Sequence, residues 1–372
     1  MQFSQNQRKI YWLALAVLAT AIVLGCAWSL WPRPAAPIAG APAAQAAATP
    51  APVRAPETAS PTPVATEEVA TAAQPPRKKA STIVYYQDNY GYLVPVMCSV
   101  PMEDGIAKAT LSMMVQSPAN DMQAARLGLR TVLPENTSID LDISNGLARI
   151  DLGPQVLNMA DAAAETNMVQ AVVQTLTEFD SVEKVEFLID GQKRDALTHG
   201  TKVSGTFTRG DINLESAEPT MASVEAETVK LYFPSDAGSV IVPVTRTVHG
   251  ADINTAVMEL AKGPVGDEML ENVVPAGCGL IDVKVEDGVA KLNFTGEFVN
   301  LVQNSDGGRM ALKALALTCT QFEGVKSVEI YVDGQRYDAS AADLGVPSFM
   351  NIADAIVSDH LQAQSNALFD ME

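Results

Sequence analysis

Three histidines, His199, His249 and His360, and four cysteines, Cys26, Cys98, Cys278 and Cys319, carry the most reactive side chains of this 372-residue sequence. A Ser-His-Asp or Cys-His arrangement would use one of them as base or nucleophile, and a zinc site would use several as ligands. Their spacing favours neither use. No CxxC occurs, the histidines lie far apart, and the partners of a triad cannot be placed along the chain. Asp190 and Asp333 recur in one local pattern, each followed by Gly and Gln. They could act as metal ligands or bases. Asp-Gly after an apolar run reads first as a tight turn, however, with Gly at positive φ and the aspartate bonding a nearby amide. Gly263-Pro264 reads in the same way as a helix stop, since neither GxxxxGK[ST] nor GxGxxG occurs. The expectation is a chain without catalytic residues, cofactor or metal, and not an enzyme.

The elements that would position these residues form an internal repeat. Residues 82–214 laid over 228–352 match in five blocks in the same order. Val84-Tyr85-Tyr86 falls on Leu231-Tyr232-Phe233, Val94-Pro95-Val96 on Val242-Pro243-Val244, and Val132-Leu133-Pro134 on Val273-Val274-Pro275. Asn145 to Leu152 falls on Asp287 to Phe294, and Val185 to Gln192 on Val328 to Gln335. A period near 145 residues is a whole domain rather than a solenoid unit.

Each copy reads strand, strand, helix, strand, strand, helix, strand. Asn145-Gly146 and Asp287-Gly288 mark hairpins, because such dipeptides supply the positive φ of a primed turn. Met168, Val169, Val172, Val173, Leu176 and Phe179 form one helical stripe, with Ala311, Leu312, Leu315, Ala316, Cys319 and Phe322 as counterparts. Cys319 thus takes the place of Leu176 and reads as a core thiol. His199 has no histidine counterpart, His249 matches nothing titratable, and Cys98 falls opposite Arg246. The fold expected is α+β: two tandem copies of a small mixed-sheet domain with helices packed on one face, copy one at 81–214 and copy two at 226–346. The free edge of such a sheet is the natural working surface, because its unpaired backbone groups accept a partner's strand.

The flanks differ sharply from the repeats. Residues 10–31, IYWLALAVLATAIVLGCAWSLW, carry no charge and follow Arg8 and Lys9; they are long enough to span a bilayer, with the bulk of the chain outside the cytoplasm. A second reading takes Val23-Leu24-Gly25-Cys26 as a lipobox with Cys26 as the lipidated residue, but the apolar residues after Cys26 favour an uncleaved anchor. Residues 32–80 hold eleven of the twenty-two prolines and no aromatic residue, and read as a disordered Ala/Pro-rich linker. The tail 347–372, with Ile352, Ala355, Ile356 and Leu361, could form a short amphipathic helix, docked or free. Residues 81–372 carry eighteen Lys or Arg against forty-one Asp or Glu. A net of −23 argues against nucleic acid as a partner.

The order of these blocks resembles the GerMN domain of sporulation and spore-germination proteins. It comprises an opening strand ending in Tyr and an aromatic, a helix leading to Leu260-Ala261-Lys262-Gly263-Pro264, a Val-Val-Pro turn, the Asp-Gly hairpin, a helix ending near Thr318, and the closing Val-Glu-Ile-Tyr-Val-Asp-Gly-Gln. Copy one departs from it with Val115-Gln116-Ser117-Pro118 and an insertion around Asp121 to Arg130. The resemblance implies a membrane-anchored protein or lipoprotein with tandem domains. It also implies a role in assembling a transenvelope channel and a fold related to ring-building motifs. The partners expected are envelope proteins, ring- or channel-forming ones among them, the membrane through residues 10–31, and like domains in a homo-oligomer. A module binding cell-wall glycan or a small ligand is the competing reading, and it calls for a concave aromatic cluster.

Overall fold

The computed structural model describes residues 79–102, 105–215, 226–236, 240–266, 269–301, 306–337 and 351–353. The chain divides into two compact units, Met1–Thr71 and Ala72–Glu372, and every described residue belongs to the second. Residues 10–31, read above as a membrane span, most of the stretch read as a Pro-rich linker and the tail after Ala353 lie outside the described residues, as do Cys26 and His360. Among the described residues no helix is long and apolar enough to cross a membrane.

Copy one opens with an antiparallel hairpin of β1 (Lys79–Gln87) and β2 (Leu93–Pro101), so β1 starts inside the stretch read as linker. Two short helices follow, α1 (Ile106–Ser112) and α2 (Pro118–Ala125). A sheet in the order β3-β4-β5-β6 completes the copy, from β3 (Ile139–Ser144), β4 (Gly146–Leu152), β5 (Val182–Ile189) and β6 (Thr206–Phe207). Helix α3 (Ala162–Leu176) connects the parallel pair β4 and β5. Copy two repeats the plan with β7 (Ala226–Pro234) and β8 (Ile241–His249), then α4 (Ile253–Ala261). Its sheet runs β12-β11-β10-β9, from β9 (Leu280–Glu286), β10 (Val289–Phe294), β11 (Ser327–Val332) and β12 (Gln335–Arg336), with α5 (Asp306–Thr320) as connection.

Local chemistry explains the element ends. Asn145 and Gly146 both take positive φ, 51° and 76°, and Asp287 and Gly288 take 51° and 81°, the primed geometry that matches strand twist. The Asp161 carboxylate accepts from the Ala164 amide at 2.8 Å to cap α3, and Asp252 caps α4 through Thr255 N at 2.7 Å. Copy one departs from Gly-Pro because Ser117 ends nothing: its hydroxyl accepts from the Asn120 amide and Pro118 occupies the first turn, so the insertion starts a helix of its own, α2. In copy two Gly263, at φ 81°, turns the chain out of α4 as expected.

Each half is α+β, with two sheets. The long helix is buried over more of its surface than its stripe requires: Glu165, Ala171, Gln174 and Thr175 are covered along with the apolar row. The opening hairpin covers that additional side and ties down through one repeated bond. Thr175 Oγ1 accepts from the Tyr85 amide at 3.2 Å, and Thr318 Oγ1 from the Tyr232 amide at 3.4 Å. Tyr85 and Tyr232 face Pro95 and Pro243 across their hairpins, so these amides point away from the ladder and need an acceptor from the helix. Thr175→Val keeps the shape and orphans a buried N–H. Chemical denaturation of the variant is expected to register a loss of about 1–3 kcal/mol; an unchanged midpoint would show that the bond carries no stability.

Candidate functional site

The matched prolines shape the surface where the two copies meet. In β2 the amides of Leu93 and Met97 and the carbonyls of Leu93 and Pro95 point out of the hairpin, with Pro95 supplying no N–H between them. In β8 Ile241, Pro243 and Thr245 repeat this row. Two such edges cannot zip into a ladder, because each offers no donor at its centre. Two asparagines fill the gap. Asn213 Oδ1 accepts from Leu93 N at 2.8 Å, while Nδ2 donates to Leu93 O at 2.8 Å and to Pro243 O at 2.7 Å. Asn351 Oδ1 accepts from Ile241 N at 2.8 Å, and Nδ2 donates to Ile241 O at 2.8 Å and Pro95 O at 3.0 Å.

The backbones around the asparagines complete a pseudo-two-fold clasp. Thr245 N donates to Asn213 O at 3.1 Å and Met97 N to Asn351 O at 2.8 Å, with parallel bridges Leu214 to Thr245 and Met97 to Ile352. The segment leaving each copy thus pairs with the hairpin of the other. Asn213 and Asn351 lie beyond the five matched blocks; the signal that could have found them is the short pattern apolar-Asn-apolar at the end of the overlay, Ile212-Asn213-Leu214 on Met350-Asn351-Ile352.

One charged tie has no counterpart. Arg246 is 3 % exposed. Its guanidinium lies 2.6 Å from Glu215, in the segment leaving copy one, and 3.2 Å from Glu259. It also donates to the carbonyls of Glu259 and Gly263, both at 2.8 Å, at the end of α4. A buried guanidinium needs partners for its donors, and a helix C-terminus with two carboxylates provides them. Beside the seam, Tyr85 donates to Glu178 at 2.9 Å and Arg209 donates to the Tyr85 hydroxyl at 2.8 Å while pairing with Glu178. Burial, then the Glu178 charge, pushes the Tyr85 hydroxyl far above the usual phenol range.

The other residues singled out fall in separate places. Asp190 and Asp333 sit at positive φ themselves, 53° and 48°, ahead of Gly191 and Gly334. The side chains that bond the turn amides come from the neighbouring strand, Asp151 to Gly191 N and Asn293 to Gly334 N, both at 2.9 Å. The repeated aspartates are therefore turn residues, with the bonding role expected of them taken by Asp151 and Asn293. Among the described residues Cys98, Cys278 and Cys319 form no disulfide, and burial pushes Cys319 up to about 12, which keeps it a thiol. His249 is exposed at the end of β8, and His199 bonds the Met159 carbonyl through Nε2 at 2.9 Å. No group of three His, Cys, Asp or Glu able to hold a metal ion occurs among the described residues.

A groove of about 540 Å³ lies on copy one, beside the insertion, between Gln87, Gln116, Asp121, Arg130, Asn158 and Met159. Among the described residues its lining contains no aromatic ring. Close by, Glu165 holds the loop after β5: its carboxylate accepts from His199 N at 2.8 Å and Thr201 N at 3.2 Å. Burial alone would raise this carboxyl, but the His199 amide together with the hydroxyl and amide of Thr201 outweighs it and holds it below the ordinary glutamate value.

Two outcomes follow from this geometry. A carboxyl whose folded value is depressed stabilises the fold above its unfolded value of 4.5 and loses that contribution as pH falls through the folded value. The unfolding midpoint of the wild-type chain should therefore fall between about pH 5 and 3 more steeply than that of Glu165→Gln; parallel curves would exclude the role given to Glu165. Asn351→Ala removes three buried hydrogen bonds and is expected to cost roughly 2–4 kcal/mol, with faster amide exchange at Ile241 and Met97. A cost below about 0.5 kcal/mol would mean that the clasp does not hold the copies together.

Comparison with known proteins agrees with this architecture. The family model described as Germane, sporulation and spore germination, matches residues 83–195 and 230–338, one match on each copy. The spore germination protein GerM of Bacillus subtilis (strain 168) is 30% identical over 263 residues, which cover 68% of this chain and 71% of that protein. The solved tandem GerMN domains of the sporulation protein GerM from Bacillus subtilis superpose with a TM-score of 0.58 at 28% identity, covering 74% of this chain and 99% of that structure. With both halves matched by the family model and the pair matched by a tandem structure, the chain belongs to the Germane family of sporulation and spore-germination proteins as a member with two tandem GerMN domains.

Proposed function

We propose that the chain is a non-enzymatic scaffold or assembly protein of the cell envelope that acts by protein-protein contact. Residues 10–31 hold it in the membrane as a single-pass anchor, with the domains on the extracytoplasmic side; lipidation of Cys26 is the alternative attachment. The observation that carries the reading is the clasp. It makes one body of two copies and covers the hairpin edges β2 and β8, leaving the six-residue β3 and seven-residue β9 as the long outer strands of the two sheets. Such edges accept strands from partners, and their placement in both halves suits a protein that brings envelope components together. The sporulation setting comes from the relatives' names alone.

A second reading, binding of cell-wall glycan or a small ligand, has the groove of copy one in its favour, since its volume lies within the usual range for ligand sites. Without an aromatic ring among the described residues of its lining it offers no stacking platform for a sugar.

The test is photo-crosslinking of the intact membrane-bound protein from exposed edge positions, Asp142 on β3 and Lys284 on β9, with Met122 on α2 as the control. Crosslinks to a defined envelope protein from the edges and not from Met122 are expected. Equal capture from all three positions, or retention by purified peptidoglycan with no protein crosslinked, would move the assignment to the second reading.

A further inference from the structure

β3 and β9 are equivalent strands, yet they differ in what an edge can pair with. The Asp287-Gly288 turn makes Glu286 and Val289 the closing pair of their hairpin, and in a two-residue hairpin that pair exchanges both hydrogen bonds. By alternation the backbones of Lys284 and Asp282 face β10, while those of Val285 and Val283 face outward. Ile281 and Val285, 51% and 46% exposed, stand at either end of this stretch, with Ile281 at the bulge between Leu280 and Asp282. No strand lies outside β9 among the described residues.

We propose that β9 pairs antiparallel with β9 of a second copy of this chain, about a two-fold axis through Val283. In that register Val283 faces its own equivalent, Val285 comes beside Ile281, and Asp282 of each chain lies directly across from Lys284 of the other. Lys284 is 65% and Asp282 38% exposed, and within one chain they pair with each other at 2.7 Å, a contact that pairing across the two-fold would replace with two between chains. Opposite charges across an antiparallel pair favour it and like charges oppose it. A two-fold at Lys284 instead would set Lys284 against itself and Asp282 against Glu286, and a two-fold at Val285, though it brings Lys284 across from Glu286, runs into the Asp287-Gly288 turn, so the Val283 register is the charge-complementary one that pairs the full length of β9.

The same operation on copy one fails. β3 carries Asp140 and Asp142 where β9 carries Asp282 and Lys284, and a two-fold at Leu141 sets acid against acid at both positions. Ile139 and Ile143 are also half-buried where their counterparts Ile281 and Val285 are open. The duplication has thus kept one edge that repels itself and made one that complements itself, which yields a closed dimer rather than an open chain. This self-pairing goes beyond the scaffold reading and stands without it.

Sedimentation equilibrium of the full-length chain in detergent micelles at physiological salt reads the pairing directly. The wild-type chain is expected to dimerise. Lys284→Asp alone and Asp282→Lys alone should each weaken the dimer about tenfold or more, since both place two like-charged pairs across the seam. An equimolar mixture of the two variants should recover the wild-type affinity as a heterodimer, because each acidic edge then meets a basic one. Recovery in the mixture separates edge complementarity from damage to the fold. A wild-type chain that stays monomeric up to about 100 μM, a dimer indifferent to both substitutions, or a mixture that fails to recover would each overturn the proposal.

Discussion

A donor missing from the middle of two strands organises this molecule. Pro95 and Pro243 stand at outward positions of β2 and β8, where an ordinary residue would offer an N–H and invite continuous pairing of the hairpins. With that donor absent, the carbonyls of Leu93, Pro95, Ile241 and Pro243 face a seam that no backbone can satisfy. Carboxamides are suited to such a place, since one side chain presents an acceptor and two donors. Asn213 and Asn351 each use all three. Asn351 is 2% exposed, so little of this exchange is shared with solvent, and an unmet partner there would bear the full cost of desolvation. The exchange of exit segments follows, because each asparagine must reach across the seam to be fully bonded.

That constraint also explains the asymmetry of the ties around the clasp. Glu215 leaves copy one beside Asn213 and meets Arg246; the residue leaving copy two in the same place is Ala353, which is buried, and the residue matching Arg246 is Cys98, also buried. One half of the seam is closed by an ion pair, and the matching positions of the other hold two small buried residues, Ala353 and Cys98. Both satisfy the same requirement, that nothing polar remain unpaired where two acidic domains are pressed together. The charged version reaches further, since Arg246 also engages carbonyls at the end of α4 and so couples the linker to the helix.

The parts of this structure that were legible in the sequence are those decided within a few residues. The primed turns at Asn145-Gly146 and Asp287-Gly288, the stop at Gly263 and the buried stripe on the long helix each follow from local φ preference or periodicity, and the repeat supported the turns and the stripe by showing each of them twice. The role of Asp190 was half legible: the turn was readable, but the amide bond belongs to Asp151, forty residues away along the chain and adjacent only once β4 and β5 pair in parallel. The hairpin layer over the helix was hidden for a related reason. Ala171 and Thr175 are ordinary helix residues, and only the Tyr85 amide turned toward Thr175 shows that a second surface covers them. Asn213 was least legible of all, because its partners Leu93 and Pro243 lie on different copies.

Duplication normally preserves an interface by preserving both of its sides, and the prolines and asparagines of the clasp have been preserved in this way. The outer edges have not. Ser117 in place of Gly263 lets copy one add α2, while Asp142 in place of Lys284 leaves its β3 with an acidic outer row. These changes lie on surfaces that the clasp does not use, where one copy can vary without disturbing the other. A rigid seam therefore frees the far ends of the molecule to diverge, and two copies that must stay together by one chemistry come to present different chemistries outward.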